Sequence, residues 1–174
     1  MDVMNRLSAA VSCLEGLDFY FKPKQVQILE AVHKGFDVMG ILPTGFGKSL
    51  CFQLLPSFMK KKTDNLENIV VVAAPLNAIL KDQLESMRSK GLRAEILQHS
   101  RDEEVIPSLF NADPRGEIEG KRWPTNIVKA DFSILIAHPE SLLGEKTLEL
   151  FRTEVYQKRV CAIVVDEAHL IHNW

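Results

Sequence analysis

Apolar positions along this chain alternate between two patterns. Short unbroken runs rich in β-branched residues predict buried parallel strands, and longer segments with apolar residues three and four apart predict helices with one buried face. The runs are FDVMGIL (36–42), NIVVVAA (68–74), RAEIL (93–97), FSILIAH (132–138) and CAIVVDE (161–167). Between them lie the amphipathic segments. Pro23 suits the first turn of a helix in which Val26, Leu29 and Val32 recur at near-helical spacing, ending near Gly35. KSLCFQLLPSFMKK predicts a second helix, which stops in the polar patch from Lys60 to Asn65. LNAILKDQLESMRSKG predicts a third: Leu76, Leu80, Leu84 and Met87 share a face, Lys81 stands opposite Glu85 at i,i+4, and Gly91 ends it. A further helix carrying Leu148, Phe151 and Val155 precedes the last strand. This order of elements predicts an α/β fold, a parallel sheet with helices on both faces.

One segment interrupts the alternation. Residues 111–126, NADPRGEIEGKRWPTN, carry two prolines, two glycines and mixed charge with no sustained period, and are expected to form a surface loop or insertion. The pattern does not decide whether Trp123 anchors this loop or projects from it.

Composition narrows the class. A chain of 174 residues with 46% hydrophobic residues supports one substantial core. Lysine and arginine number 21 against 23 aspartates and glutamates, a net charge of -2, so any nucleic-acid contact must be local. Cys13, Cys51 and Cys161 show neither paired nor metal-type spacing, which fits small buried side chains in a reducing compartment. No signal-peptide pattern opens the chain, and no apolar run approaches the roughly 20 residues that span a bilayer. The expectation is a nuclear or cytoplasmic protein without a membrane partner.

The chemistry starts at LPTGFGKSL (42–50), which lies between a predicted strand and a predicted helix, the context of a phosphate-binding turn. Gly45 and Gly47 let the backbone curl so that successive N–H groups point at phosphates. Lys48 would add a point charge to those phosphates, and Ser49 would give its hydroxyl to Mg²⁺. The strict pattern G-x-x-x-x-G-K-[ST] is not met, since Leu42 holds the first glycine position, so a plain strand-to-helix turn stays open on this stretch alone. A second motif weighs against that alternative. AIVVDEAH (162–169) is an apolar strand ending in two adjacent carboxylates, and the carboxyl edge of a parallel sheet faces the loop after its first strand. Asp166 would hold Mg²⁺ from its outer shell, and Glu167 would orient or deprotonate an attacking water. His169 and His172 stand at i,i+3 but lack a third ligand for zinc. Lys60, Lys61 and Lys62 read as a solvated run at a helix end.

From about residue 16 to the last residue the chain resembles the first motor domain of superfamily-2 helicases, and within it the RecQ-like DNA helicases. FKPKQ (21–25) looks like the adenine-reading segment F-R-x-x-Q, with Gln25 on the adenine edge. LPTGFGKSLCFQLLP resembles the Walker A loop and its helix, APLNAILKDQ (74–83) the P-L-x-x-L-M-x-D-Q signature, and ILIAHPESLL (134–143) a V-T-P-E-x-L type turn. VVDEAHLIHNW resembles the DEAH motif running into an aromatic-rich loop. The tetrapeptide alone would equally suit a DEAH-box RNA helicase; the P-L…D-Q stretch and Trp174 favour RecQ. The chain departs from the family at Asp18, where bacterial members stack a tyrosine on adenine, at Lys22, at Phe46 inside the phosphate loop, and at His172 and Asn173.

The resemblance implies a RecA-like P-loop parallel sheet, incomplete at the C-terminus, with residues 1–15 as an N-terminal helical extension and 16–174 as a partial ATP-binding domain. It implies ATP and Mg²⁺ as ligands and DNA as partner. Its nucleotide-binding residues would be Lys22, Gln25, Pro43, Thr44, Gly45, Phe46, Gly47, Lys48, Ser49 and Leu50, its catalytic residues Lys48, Asp166, Glu167 and His169, and its metal-binding residues Ser49 and Asp166. His169 would couple the nucleotide to a second RecA-like lobe that is missing from this chain and that supplies arginines for hydrolysis. Gln83 and Lys81 would lie near the DNA path. The strand that inserts between the Walker A and DEAH strands is also missing, so two unpaired edges are expected, and with them a fragment or truncated product of a longer helicase. Three functions are weighed: the ATP-binding half of a 3′-to-5′ DNA helicase, hydrolysis-deficient in isolation; a nucleotide- or DNA-binding module without turnover; and a P-loop kinase or other small NTPase. The first is favoured, since no lid arginines follow the second carboxylate motif.

Overall fold

A computed structural model of the chain describes residues 3–12, 20–60, 67–75, 78–97 and 123–169. Cys13, Asp18, Phe19, Lys61, Lys62, Leu76, His172, Asn173 and Trp174, most of 111–126, and the side chains of Leu80 and Lys81 lie outside the described residues.

Strands β1 (Ile69–Ala73), β2 (Ala94–Leu97), β3 (Ile134–Ala137) and β4 (Val160–Val165) form one sheet in the order β2-β3-β1-β4, with every neighbouring pair parallel. In register, Val71 of β1 stands between Leu135 and Ile163. Successive side chains of a strand point to opposite faces, so the β-branched runs feed two cores. On one face Val70, Val72, Ile134 and Ile136 pack with Leu7 of α1 (Val3–Val11), Leu29 of α2 (Pro23–His33), Leu54 and Phe58 of α3 (Lys48–Phe58), and Met87 of α4 (Ala78–Ser89). On the other, Ile69, Val71, Leu135 and Ala137 meet Ile127 of α5 (Thr125–Val128), Leu150 of α7 (Glu145–Phe151) and Tyr156 of α8 (Glu154–Arg159). Helix α6 (Pro139–Leu143) directly follows β3. Helices thus cover both faces of a parallel sheet, the RecA-like α/β arrangement expected. Among the described residues no helix is long and apolar enough to cross a membrane.

Three expectations are corrected. Residues 36–42 form no strand: Phe36, Met39 and Ile41 are exposed, and no described strand lies beside them to complete a ladder. An apolar run becomes a strand only where another backbone accepts its hydrogen bonds. The segment instead lies along α2, where a Cβ on Gly40 would stand 3.0 Å from Ile28 Cδ1. The single helix expected before the last strand is two, α7 and α8, because Thr153 turns extended (φ -65°, ψ 148°) and its hydroxyl donates to the Leu150 carbonyl at 2.7 Å. The break rotates the buried face: Leu148 and Val155 are exposed, while Thr147, Leu150 and Tyr156 are buried. Finally, the loop of 111–126 gives way at Pro124, which precedes the first residue of α5.

The outer side of β4 has no strand partner among the described residues. At the opposite end of the strands, Arg159 donates to the carbonyls of Glu67, Ala130 and Phe132, at 2.7, 2.6 and 3.3 Å, tying the start of β4 to the segments that enter β1 and β3.

Candidate nucleotide site

The loop between residues 43 and 47 is built by its glycines. Phe46 N–H donates to the Pro43 carbonyl at 3.2 Å, closing a turn. Gly45 (φ +74°) and Gly47 (φ +88°) adopt left-handed conformations that side chains rarely take. Gly47 is the N-cap of α3, and its carbonyl accepts from Leu50 N–H at 3.2 Å. Gly47 is required for a second reason: a Cβ there would lie 2.7 Å from Gln25 Nε2. Pro43, Thr44 and Gly45 are exposed, Lys48 and Ser49 are half-buried in the first turn of α3, and Leu50 is buried in the core beneath it.

One wall of the loop is the start of α2. Gln25 is a buried polar side chain, 1% exposed, and its amide is fully used. Nε2 donates to the carbonyls of Phe46 and Gly47, both at 3.1 Å, while Oε1 accepts from Lys22 N–H at 2.9 Å, as a glutamine in the first turn of a helix can. Lys22 Nζ donates to the Phe46 carbonyl at 3.2 Å and lies 4.3 Å from the centroid of the Phe46 ring. Thus Gln25, read from the sequence as a base contact, here also buttresses the loop.

The other wall is the end of β4. Asp166 N–H donates to the Ala73 carbonyl at 2.9 Å, one step beyond the β1–β4 ladder, which sets the acidic pair at the carboxyl edge of the sheet. Burial raises the Asp166 carboxyl above its ordinary pKa, offset in part by the Glu167 N–H that donates to Oδ1 at 3.0 Å. Glu167 takes a left-handed backbone (φ 51°), an uncommon conformation for a residue with a side chain and one found preferentially at functional positions. Its carboxylate is shared: Oε1 lies 3.6 Å from Lys48 Nζ and Oε2 lies 3.3 Å from His169 Nδ1. Lys48, Glu167 and His169 therefore converge, with Asp166 adjacent, although 118 positions of sequence separate Lys48 from Asp166.

Cys51 and Cys161 stand outside this chemistry. Burial pushes the Cys51 thiol up and the Cys161 thiol up to about 11, so both stay protonated near neutrality. Two contacts were not legible from residue types: the Lys22–Phe46 ring contact, for which Phe46 was only an anomaly, and the Gln25 bonds to loop carbonyls. Both join segments more than 20 residues apart.

With this geometry in view, comparison with known proteins is informative. The model of the DEAD/DEAH box helicase family matches residues 22–174. The chain is a member of that family. It is 30% identical over 156 residues to the ATP-dependent helicase SGS1 of Saccharomyces cerevisiae, covering 88% of this chain and 10% of that protein. It is 28% identical over 167 residues to the ATP-dependent DNA helicase RecQ of Haemophilus influenzae, covering 95% and 23%. With RecQ of Synechocystis it shares 30% over 168 residues, covering 97% and 30%. The chain thus spans less than a third of the length of these relatives.

Proposed function

We propose that the chain is the ATP-binding motor domain of a RecQ-type, ATP-dependent 3′-to-5′ DNA helicase, acting as part of a longer protein. The observation that carries the reading is the 3.6 Å approach of Lys48 Nζ to Glu167 Oε1 across the mouth of a glycine loop at the N-terminus of α3. A cation from the loop and a carboxylate from the far strand meet where a triphosphate and an attacking water would have to meet. In this reading Lys48 leaves Glu167 for the phosphates, the N–H groups of the loop and of the first turn of α3 bind phosphate oxygens, and Glu167 is freed to orient water. His169, on the other oxygen of Glu167, steadies that carboxylate. To take the base end of the site, Gln25 and Lys22 must give up part of their bonds to the Phe46 and Gly47 carbonyls.

Mg²⁺ fits the donor set, since Ser49 and Asp166 offer a hydroxyl and a carboxylate, the oxygen ligands this hard cation prefers. Mg²⁺ would neutralise charge on the phosphates when bound. Among the described residues, four arginines are engaged away from the loop. Arg6 is held at the carbonyls of Phe58 and Lys60, Arg88 on Glu95, Arg93 between Glu67 and Asp131, and Arg159 on carbonyls at the far end of the strands. An arginine missing from the transferred phosphate costs a factor of about 10³ to 10⁵ in turnover. The 174-residue chain is therefore proposed to bind Mg-ATP and to hydrolyse it poorly until a second lobe supplies that charge.

The test is Mg-ATP binding by calorimetry, and ATP hydrolysis with and without single-stranded DNA, on this chain and on one extended through a second lobe. The expected result is binding by both, abolished by Lys48→Ala, with DNA-stimulated turnover in the long form alone. A folded wild-type chain that ignores Mg-ATP overturns the proposal, and RNA-stimulated turnover would move the substrate to RNA.

A further inference from the structure

The phosphate loop of this chain carries a bulky aromatic residue between its two glycines, and the structure shows what that residue touches. Phe46 presents two groups to one ammonium: its ring, 4.3 Å from Lys22 Nζ at the centroid, and its carbonyl, 3.2 Å from the same atom. Gln25 Nε2 holds the Phe46 carbonyl from a second direction and also holds the Gly47 carbonyl, both at 3.1 Å. Across a trans peptide the C=O and the following N–H point in opposite directions, and no cis peptide occurs among the described residues. Carbonyls of Phe46 and Gly47 pinned toward α2 therefore turn the N–H groups of Gly47 and Lys48 away from α2.

We infer that Lys22 and Phe46 form a lock that, together with Gln25, fixes the Phe46–Gly47 peptide plane and so the Gly47 amide before any ligand arrives; the Gly47 carbonyl, and with it the Lys48 amide, is held by Gln25 and by the Leu50 N–H. The ring sets the position of the ammonium, and the ammonium sets the peptide plane. Neither Lys22 nor Phe46 needs to touch a phosphate for this, so both are positioning residues for the anion cradle. Left-handed glycines on either side of Phe46 would let the peptide planes flip where no side chain holds a carbonyl, because glycine populates positive and negative φ about equally, so Lys22 adds to the hold that Gln25 already has on the Phe46 carbonyl. The consequence for affinity rests on the nucleotide reading above; the effect on the amides does not.

Two measurements on the full chain separate these. The first is the ¹H–¹⁵N signals and hydrogen exchange of the Gly47 and Lys48 amides without ligand. The second is Mg-ATP affinity by calorimetry, with the thermal unfolding midpoint recorded for every variant. Lys22→Met and Phe46→Leu are each expected to shift the Gly47 amide signal more than that of Lys48, speed its exchange and weaken Mg-ATP binding about two- to five-fold, the value of one cation–π contact at an accessible site. The double variant is expected to be no worse than Lys22→Met alone. Lys22→Arg, which keeps a cation over the ring, is expected to restore most of the affinity. Unchanged amide signals in both single variants, or strictly additive losses of affinity, overturn the lock. If wild-type protein fails to bind Mg-ATP while Lys22→Met still moves the amide signals, the nucleotide reading falls and the lock is supported. If the wild type binds Mg-ATP and Lys22→Met binds it equally well at equal stability, the lock falls and the nucleotide reading is untouched.

Discussion

Strands β1 and β4 are close in composition, IVVVA against VCAIVV, and they are neighbours in one sheet, yet water reaches them very differently. All five residues of β1 are buried, whereas Ile163 of β4 is 69% exposed and Val165 43%. The difference lies in the neighbours. β1 is paired on both edges and covered on both faces, by α3 on one side and by the α7–α8 corner on the other. Among the described residues β4 is paired on one edge only, and its Ala162 and Val164 face is packed while its Ile163 and Val165 face is open. Burial is a property of what surrounds a strand, and equal hydrophobicity gives unequal stabilisation.

That contrast can be broken or sharpened by substitution. The largest effect is expected at Leu135 of β3, fully buried beside β1: Leu135→Ala should cost about 2–5 kcal/mol, and Ile163→Ala on β4 less than about 1 kcal/mol, in urea unfolding. Equal losses at the two sites would refute the argument from neighbours. Next comes Tyr156, buried on α8, whose hydroxyl donates to the Ile127 carbonyl at 2.7 Å. Tyr156→Phe leaves that carbonyl without its donor and should cost about 1–3 kcal/mol, read from the same denaturant midpoint. A smaller loss, roughly 1–2 kcal/mol, is expected for Gly47→Ala, which forces a side chain into the left-handed region. Because the loop lies on the open side, weakened Mg-ATP binding should exceed what lost folding explains, and calorimetry at a temperature where the variant is folded checks it. The smallest effect on stability, within about 0.5 kcal/mol, is expected for Ile163→Lys. Its signature lies elsewhere: a charge beside an unpaired edge should suppress concentration-dependent association seen by light scattering.

The candidate site divides along the same line. The glycine loop and the DEAH carboxylates were legible as residue types, the loop ahead of a helix and the carboxylates at the end of a strand, because glycines, a lysine and paired carboxylates in that context have few other uses. What the pattern did not reveal was where the loop is buttressed. Gln25 reaches Phe46 and Gly47 across more than 20 residues, and Glu167 divides its carboxylate between Lys48 and His169. The apolar run at 36–42 misled for the converse reason: its composition suits a strand, but no described backbone lies alongside to pair with it.

The sequence by itself determined the alternation of strands and helices, the parallel sheet with two covered faces, and the chemical identity of the groups at its carboxyl edge, since periodicity and residue type act over a few neighbouring positions. Tertiary structure alone decided which apolar runs became strands, that the helix before β4 breaks at Thr153, and that Lys48 meets Glu167 while Lys22 caps the Phe46 ring. Those outcomes depend on partners supplied from distant parts of the chain, and a hydrogen bond or a ring contact exists only once folding has brought both of its halves together.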